Sequence, residues 1–565
     1  MRILLLTHAF NSLSQRLAAA LRQQGHLVSI EFDISDSVTI EAVALFAPDL
    51  IVAPYLRRAI PKSVWQRFVC LIVHPGVVGD RGPSALDWAI MHQHAQWGVT
   101  VLQAEADMDA GPVWASASFA MRAASKASLY RHEVTQAATT AVLQAVTRFA
   151  AGNFAPQRPP SSQWQPLIRQ SDRAIDWQHD DSATVLRKVR AADGFPGVAD
   201  RLFGQPCQLF DAWPEATLRG SPGEVIAQRE TAVLRATVDG AVWIGHVKRS
   251  DGIKLPATLA FAAESTALPQ APLPGWWRAP EPTWQDIAYE ESGGVGTLHF
   301  EFYNGAMSTR QCERLRDALA WARQRPTRVL VLLGGHDFWS NGIHLNVIEA
   351  ASLNGGSAAD ESWRNINAMN DLALELITTP QQITVAAVGG NTGAGGCFLA
   401  RAADLVWVRE AVMLNPHYKN MGNLYGSEYW SYLLPRRVGQ DAAKTIMHNR
   451  QPLTAQGALD IQLFDACLPG DVPAFRKKVA ARAASLAQAP DLPAQLAAKN
   501  EARARDEAAK PLTAYRAEEM THMHRNFYGF DPSYHIARHH FVAKSPASWT
   551  PRHLALHREL GWQLP

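Results

Sequence analysis

The chain has 565 residues, too many for one compact core, and this length predicts about three or four domains of ~100–200 residues. Hydrophobic residues make up 47% and charged residues 19%, which is typical of a folded protein and excludes a largely disordered one. The 54 basic residues nearly balance the 52 acidic ones, so we expect neither nucleic acid nor a membrane surface as a partner. No apolar stretch reaches the ~20 residues of a membrane span, and MRILLLTHAF predicts a first strand rather than a signal peptide. A cytoplasmic location is therefore expected.

The cysteines and histidines do not indicate a metal site. The five cysteines are far apart and form no CxxC pair, so neither a disulfide framework nor a zinc ribbon is expected. The 20 histidines are dispersed, and His132, His179 and His246 are predicted to be surface or packing residues. We therefore predict no metal.

Two proline-rich stretches divide the chain. Residues 151–166 and 269–282 each carry several prolines, which exclude helix interiors and central strands and favour stiff connectors. The predicted domains are residues 1–165, 166–268 and 285–565, with a linker at 269–284.

All three domains contain strands, but their patterns differ. In the first, strands at 3–6, 28–32, 50–53 and 69–73 alternate with helical sequence, which predicts a mostly parallel α/β sheet with His74 at a strand end. In the second, strands at 224–229, 232–238 and 242–247 predict a small antiparallel barrel or sheet. In the third, strands at 329–333 and 383–388 each run into a loop of small residues, and Ser308 is predicted to cap a helix.

The first two domains resemble formyltransferases that use N10-formyltetrahydrofolate. The resemblance rests on DLIVAPYL at 49–56, His74 with RGP at 81–83, WAI at 88–90, GVTV at 98–101 and MDAG at 108–111. AIDW at 174–177 and GFPG at 194–197 resemble that family's C-terminal small barrel. The resemblance implies catalytic roles for two residues, His74 and Asp109, and a folate pocket with Tyr55, Leu56, Ile72, Arg81 and Gly82. The family's catalytic asparagine is replaced by Ile72.

The third domain resembles the enoyl-CoA hydratase/isomerase family, also called crotonases. FWSNGIHL at 338–345 and AAVGGNTGAGGC at 386–397 match its two glycine loops, and FVAK at 541–544 matches its C-terminal segment. The resemblance implies an oxyanion hole from the N–H groups of Ile343 and Ala394. It also implies coenzyme A contacts, at Asn341, Gly342, Gly395, Phe541 and Lys544. The two catalytic glutamates of hydratases fall on Phe398 and His417, so ordinary hydration is not expected.

The fusion of these parts, with YKNMG at 418–422 and YGSEYW at 425–430, resembles accessory proteins of nickel–iron hydrogenase maturation. This resemblance implies an enzyme that passes the formyl group of N10-formyltetrahydrofolate to coenzyme A and then decarbonylates formyl-CoA to carbon monoxide. Its partners would be these small molecules and the maturation machinery. His417, Tyr418 and Glu428 are candidates for the proton steps of decarbonylation, and which residue is the base stays open.

Several alternatives also stay open. The chain could be a formyl-folate hydrolase fused to an acyl-CoA hydratase or isomerase, or a maturation factor that binds folate and coenzyme A without catalysis. Glu428 could instead be a charge at a helix N-terminus, and Lys544 a solvated surface residue. His74 could merely cap its strand.

Overall fold

The computed structural model describes residues 1–558. Its N-terminal part is an α/β sheet in the order β2-β1-β3-β4-β6-β7, in which β1 to β4 are parallel and β6 and β7 are antiparallel additions. A π-helical turn, Tyr130–Val134, joins α5 to α6. The elements are β1 (Arg2–Thr7), α1 (Ser12–Gln23), β2 (Leu27–Phe32), α2 (Asp36–Phe46), β3 (Leu50–Tyr55), α3 (Lys62–Trp65), β4 (Cys70–His74), β5 (Asp80–Arg81), α4 (Ala85–Met91), β6 (Gln96–Gln103), β7 (Val113–Ala120), α5 (Lys126–Leu129), α6 (Thr135–Ala151) and β8 (Gln163–Trp164).

The middle part is an antiparallel sheet in the order β11-β12-β13-β10-β9, with β14 also paired to β13. The sequence predicted a small antiparallel barrel or sheet, and the sheet is what forms: no pairing between β9 and β11 closes it into a barrel among residues 1–558. Helix α7 covers one face and completes the core there. The elements are α7 (Ser182–Ala192), β9 (Val198–Leu202), β10 (Gln205–Glu215), β11 (Val225–Arg229), β12 (Ala232–Ala236), β13 (Ala241–Arg249), β14 (Lys254–Pro256), α8 (Ala257–Ala260) and α9 (Ala262–Thr266).

The C-terminal part has a six-stranded sheet, β15-β16-β17-β19-β21-β24, and a small sheet, β18-β20-β22-β23, that carries the two glycine loops. As predicted, Ser308 caps α10, and Gln311 completes a capping box. The elements are β15 (Ile287–Ser292), β16 (Val295–Phe300), α10 (Thr309–Ala322), β17 (Val329–Leu333), β18 (Phe338–Ser340), α11 (Leu345–Leu353), α12 (Ala358–Ile377), β19 (Ile383–Val388), β20 (Asn391–Gly393), α13 (Gly395–Arg401), β21 (Leu405–Arg409), β22 (Met413–Asn415), α14 (Trp430–Val438), α15 (Gln440–Asn449), β23 (Leu453–Thr454), α16 (Ala455–Asp460), β24 (Ala466–Leu468), α17 (Val472–Ala487), α18 (Leu492–Ala509), α19 (Leu512–Tyr528) and α20 (Ser533–Ala543).

The end of the described chain returns to the N-terminal part. Leu554 accepts a backbone hydrogen bond from Ile30 in β2 and joins the apolar core of the first sheet. The buried Glu31 carboxylate binds Thr550, His557 and Arg558. Because these contacts span the whole chain, the first and last parts are tied together by both apolar packing and charge.

Candidate functional site

A buried histidine lies at the carboxyl end of β4, as the sequence predicted. The Nε2 atom of His74 lies 2.8 Å from Asp80, and its Nδ1 atom lies 3.4 Å from Asp109. The Asp109 carboxylate also accepts a hydrogen bond from the Gly82 N–H. Parallel strands expose such residues at the sheet edge where ligands bind. His74 is therefore positioned by two carboxylates, an arrangement suited to moving protons.

Asp80 is a member of this histidine site that the sequence reasoning missed. It follows His74 by six residues, as the first residue of the short strand β5, and its side chain is buried. The signal that could have revealed it is a lone acid between the histidine and the Arg-Gly-Pro motif. Its bond fixes the ring orientation of His74, because only one imidazole nitrogen then remains to face Asp109.

The predicted folate contacts lie in the same part of the chain. Tyr55 ends β3, and its ring packs against Tyr130. Leu56 packs against the apolar core behind the sheet, together with Ile72, which lies within β4. Arg81 donates to the Met108 carbonyl, so it braces the loop that carries Asp109. All of these contacts are within the protein, so the folate contacts of these residues stay a prediction.

The two glycine loops meet in the small sheet of the C-terminal part. The N–H of Gly395, the first residue of α13, has no acceptor within its own helix, and it lies 3.6 Å from the position that a Cβ on Gly342 would take. The prediction for Ala394 is wrong, because its N–H donates to the Asn415 carbonyl at 2.9 Å. The left-handed backbone of Ala394 turns that N–H away. Gly395 replaces it as the candidate donor beside Ile343.

A buried tyrosine–glutamate pair lies against the second loop. Tyr418 donates a hydrogen bond to the Glu428 carboxylate, and both side chains are buried. A Cβ on Gly395 would lie 2.6 Å from the Glu428 carboxylate, so this carboxylate directly adjoins the loop. Phe398 stacks on the Tyr418 ring, where hydratases would carry a glutamate. We call Ile343, Gly395, Tyr418 and Glu428 the tyrosine–glutamate site.

The electrostatics of this pair favour proton transfer near neutrality. Burial raises the pKa of Glu428 to about 7, although the hydrogen bonds from Tyr418 and Ser427 oppose this rise. Burial also raises the pKa of Tyr418, as does the neighbouring Glu428 charge. A carboxylate with such a pKa can both accept and release a proton near pH 7.

Glu428 does not cap a helix, in contrast to the alternative considered above. Helix α14 begins at Trp430, while the Glu428 side chain turns back to Tyr418. The carboxylate at this helix N-terminus belongs to Glu519 of α19, which accepts from the N–H groups of Tyr429 and Ser431.

Four predicted residues lie apart from this pair. His417 is buried, its ring nitrogens have no partner among the described residues, and burial lowers its pKa to about 4, with Arg450 and His553 as the charged neighbours. A histidine with this pKa is neutral at pH 7. Phe541 is half exposed on α20, and the Lys544 ammonium lies over its ring at 4.3 Å. Asn341 donates to the Asn304 carbonyl and braces the first loop.

One cluster in the described chain has a composition that could hold a metal ion: His132, His336 and Asp337. The hydrogen bonds of this cluster do not favour an ion, because both ring nitrogens of His132 already have partners. Arg409 lies 3.3 Å from Nδ1 and donates to it, so Nε2 carries the proton and donates to Asp337. Arg131 also binds the Asp337 carboxylate. We therefore regard the cluster as a link between the first and last parts of the chain.

The fold and the two sites define a protein in which a formyltransferase is joined to a crotonase. The formyl transferase family matches residues 1–146, its C-terminal domain matches residues 167–264, and the enoyl-CoA hydratase/isomerase family matches residues 291–552. Methionyl-tRNA formyltransferase of Dechloromonas aromatica is 24% identical over 42% of this chain and 76% of its own length.

Relatives with the same fusion match along the whole chain. Hydrogenase maturation factor HoxX of Bradyrhizobium diazoefficiens is 55% identical over 99% of this chain and 97% of its own. The crystal structure of HypX from Aquifex aeolicus, in complex with tetrahydrofolic acid, is 47% identical and covers 100% of both chains with a TM-score of 0.97. The chain therefore belongs to the HoxX family of hydrogenase maturation factors. No helix within residues 1–558 is long and apolar enough to cross a membrane.

Proposed function

We propose that this protein makes carbon monoxide in two steps. In the first, the thiol of coenzyme A attacks the formyl carbon of N10-formyltetrahydrofolate, the C–N bond breaks, and N10 takes up a proton. In the second, formyl-CoA loses its formyl proton, the C–S bond breaks to release carbon monoxide, and the thiolate takes up a proton. The second step regenerates coenzyme A, so the carrier is needed only in catalytic amounts.

The histidine site supports the first step. His74, held between Asp80 and Asp109, can relay the proton from the thiol to the leaving nitrogen. A thiol with a pKa of ~8.5 needs little help to ionise, so it is a better acceptor than water at neutral pH. The solved relative from A. aeolicus binds tetrahydrofolic acid, which supports a folate donor here as well.

The tyrosine–glutamate site carries the proposal for the second step. A buried carboxylate with a phenol beside it adjoins Gly395 of the second glycine loop, while Phe398 and His417 replace the glutamates that hydration needs. The N–H groups of Ile343 and Gly395 would hold the thioester oxygen. Glu428 would take the formyl proton, and Tyr418 would hold Glu428 in place.

The test supplies the full chain with formyltetrahydrofolate and coenzyme A and measures carbon monoxide in the gas phase and formate in solution. Carbon monoxide supports the proposal, formate supports the hydrolase alternative, and neither product supports a non-catalytic factor. We expect no carbon monoxide from protein stripped of coenzyme A, and full yield when catalytic amounts are restored.

A histidine variant assigns the first step. His74→Ala should lower carbon monoxide release from formyltetrahydrofolate by at least ~100-fold, and added formyl-CoA should bypass the defect. His179→Ala is the matched control, because this side chain is 82% exposed on the middle part. Normal turnover of formyltetrahydrofolate by His74→Ala would remove His74 from the mechanism.

The remaining expectations follow from the same reaction. The product would be handed to the hydrogenase maturation machinery, as the family name indicates. The reaction would take place in the cytoplasm.

A further inference from the structure

A second buried acid lies behind the tyrosine–glutamate site and is not used in the mechanism above. Glu519 projects from α19, and its side chain is fully buried. Its Oε2 atom accepts from the Tyr429 N–H at 3.0 Å, and its Oε1 atom accepts from the Ser431 N–H at 2.8 Å and from the Ser431 hydroxyl at 2.6 Å. One carboxylate thus satisfies three donors at the start of α14.

These donors belong to a turn with an unusual backbone. Glu428 and Tyr429 have φ values of 59° and 58°, two successive left-handed residues of which neither is glycine. Such a conformation is unfavourable for bulky residues and persists only where the surroundings hold it. The holding contacts are Glu519 on the C-terminal side and Asn370, whose side-chain oxygen accepts from the Glu428 N–H at 2.7 Å.

The turn decides where the Glu428 carboxylate points. With this backbone the side chain lies against Gly395 and reaches Tyr418. A relaxed, right-handed backbone at Glu428 would aim the side chain elsewhere. We infer that Glu519 is a positioning residue for Glu428, because it holds the left-handed turn that presents the Glu428 carboxylate to the glycine loop. This inference rests on the proposed second step.

The two acids are also coupled electrostatically. Burial and, to a lesser extent, the charge of Glu428 raise the pKa of Glu519 to about 8, although the hydrogen bonds from Ser431 and Tyr429 oppose this rise. Coupling between two sites is reciprocal, so a charge on Glu519 equally opposes ionisation of Glu428. The titratable groups near Glu428 are Tyr418, Cys312 and Glu519. Those near Glu519 include Tyr418 and Tyr425. Arg516 is the charged group next to Tyr429, on the other side of the turn.

The kinetic test uses Glu519→Gln, which keeps the shape of the side chain but cannot accept three hydrogen bonds in the same way. We expect kcat for carbon monoxide release from formyl-CoA to fall by about 10- to 100-fold, the scale of a buried hydrogen bond left unmade. KM for formyl-CoA and the rate of formyl transfer at the distant histidine site should be unchanged. Glu519→Asp, which restores a carboxyl group, should recover part of the lost kcat.

The neighbouring residue offers a matched control. Glu518 lies on the same helix, is 58% exposed and pairs with Lys510, so Glu518→Gln makes the same chemical change without touching the turn. A normal kcat in Glu519→Gln would overturn the inference. An equal loss of both steps, together with a lower melting temperature, would also overturn it, because that pattern indicates a purely structural role.

An infrared titration separates this inference from the proposed function, because it needs no substrate. The carbonyl band of protonated carboxyl groups is followed as the pH of the wild-type protein rises, and Glu428 and Glu519 should contribute two of its steps, beside those of other buried acids such as Asp193 and Glu301. Glu519→Gln and Glu428→Gln should each remove one of these two steps and leave the other at a pH below the upper wild-type step. If Glu519→Gln leaves the titration of Glu428 and its Tyr418 hydrogen bond unchanged, the positioning role is refuted even in a protein that makes no carbon monoxide.

Discussion

Replacing Glu428 by glutamine tests the second step most directly. The amide keeps the size of the side chain but cannot accept the formyl proton. General base catalysis commonly contributes 10²–10⁴-fold, so carbon monoxide release should fall by at least ~100-fold. Because His74, Asp80 and Asp109 lie in another part of the chain, formyl transfer should continue and formyl-CoA should accumulate.

The same substitution also changes how the stability of the folded protein depends on pH. The pKa of Glu428 is about 7 in the folded protein against an ordinary value of 4.5, so the folded state favours the protonated acid. The stability that this preference confers is complete below pH 4.5 and is lost as the pH rises through about 7. A difference of this size corresponds to at most ~3 kcal/mol. Glutamine cannot ionise, so Glu428→Gln does not lose this stability as the pH rises. Between acidic and mildly alkaline buffer, the melting temperature of the variant should therefore decrease by less than that of the wild type.

The assay combines both readouts. Carbon monoxide and formyl-CoA are measured after addition of formyltetrahydrofolate and coenzyme A, and melting is followed on either side of the expected transition. Glu518→Gln serves as the control for a lost exposed charge on the same part of the chain. Unchanged carbon monoxide yield would exclude Glu428 as the base, and an unchanged pH dependence of melting would exclude its raised pKa.

Two further substitutions test the glycine loop and the link between the parts. Gly395→Ala would place a Cβ 2.6 Å from the Glu428 carboxylate, so carbon monoxide release from formyl-CoA should be lost while formyl transfer continues; retained release would contradict the contact. Asp337→Ala should lower the free energy of unfolding by about 3–5 kcal/mol, because it leaves Arg131 and His132 without their carboxylate. The neighbouring His132 and Arg131 hold the pKa of Asp337 well below its ordinary value. The stabilisation by the ionised carboxylate is therefore complete at pH values above the ordinary pKa of an aspartate, and it is lost as the pH falls through the lowered pKa. Calorimetry at neutral pH should therefore separate the melting of the first and last parts in Asp337→Ala, and a single unchanged transition would contradict the linking role.

The features that could be predicted from the sequence are local ones. Apolar strands that end in loops of small residues can be recognised from a few neighbouring positions, and Ser308 caps its helix as the sequence indicated. His74 lies at a strand end for the same reason. The resemblance to two families then pointed to both candidate sites, because their motifs are contiguous stretches of the chain.

The features that could not be predicted depend on backbone details or on distant residues. Ala394 was expected to donate to a thioester, but one left-handed residue turns its N–H to Asn415. Glu519 lies 90 residues from the Tyr429 N–H that it accepts from, so no local pattern links them. The middle sheet stays open because closure depends on strand tilt and register, which alternating apolar residues do not specify.

The contacts between the parts link the two candidate sites structurally. The main-chain oxygen of Asn415 binds the Ala394 N–H and so shapes the second glycine loop, while its side chain donates to Gln15 of α1 at 3.1 Å. The loop that would hold the thioester is therefore braced by a helix of the formyltransferase part. Joining two sites in one chain also raises the effective concentration of an intermediate that leaves one site for the other. A separate crotonase part would lose the brace from Gln15. If the proposed two-step reaction holds, it would also lose this proximity, and the fusion would then serve the supply of substrate to the second site as well as its geometry.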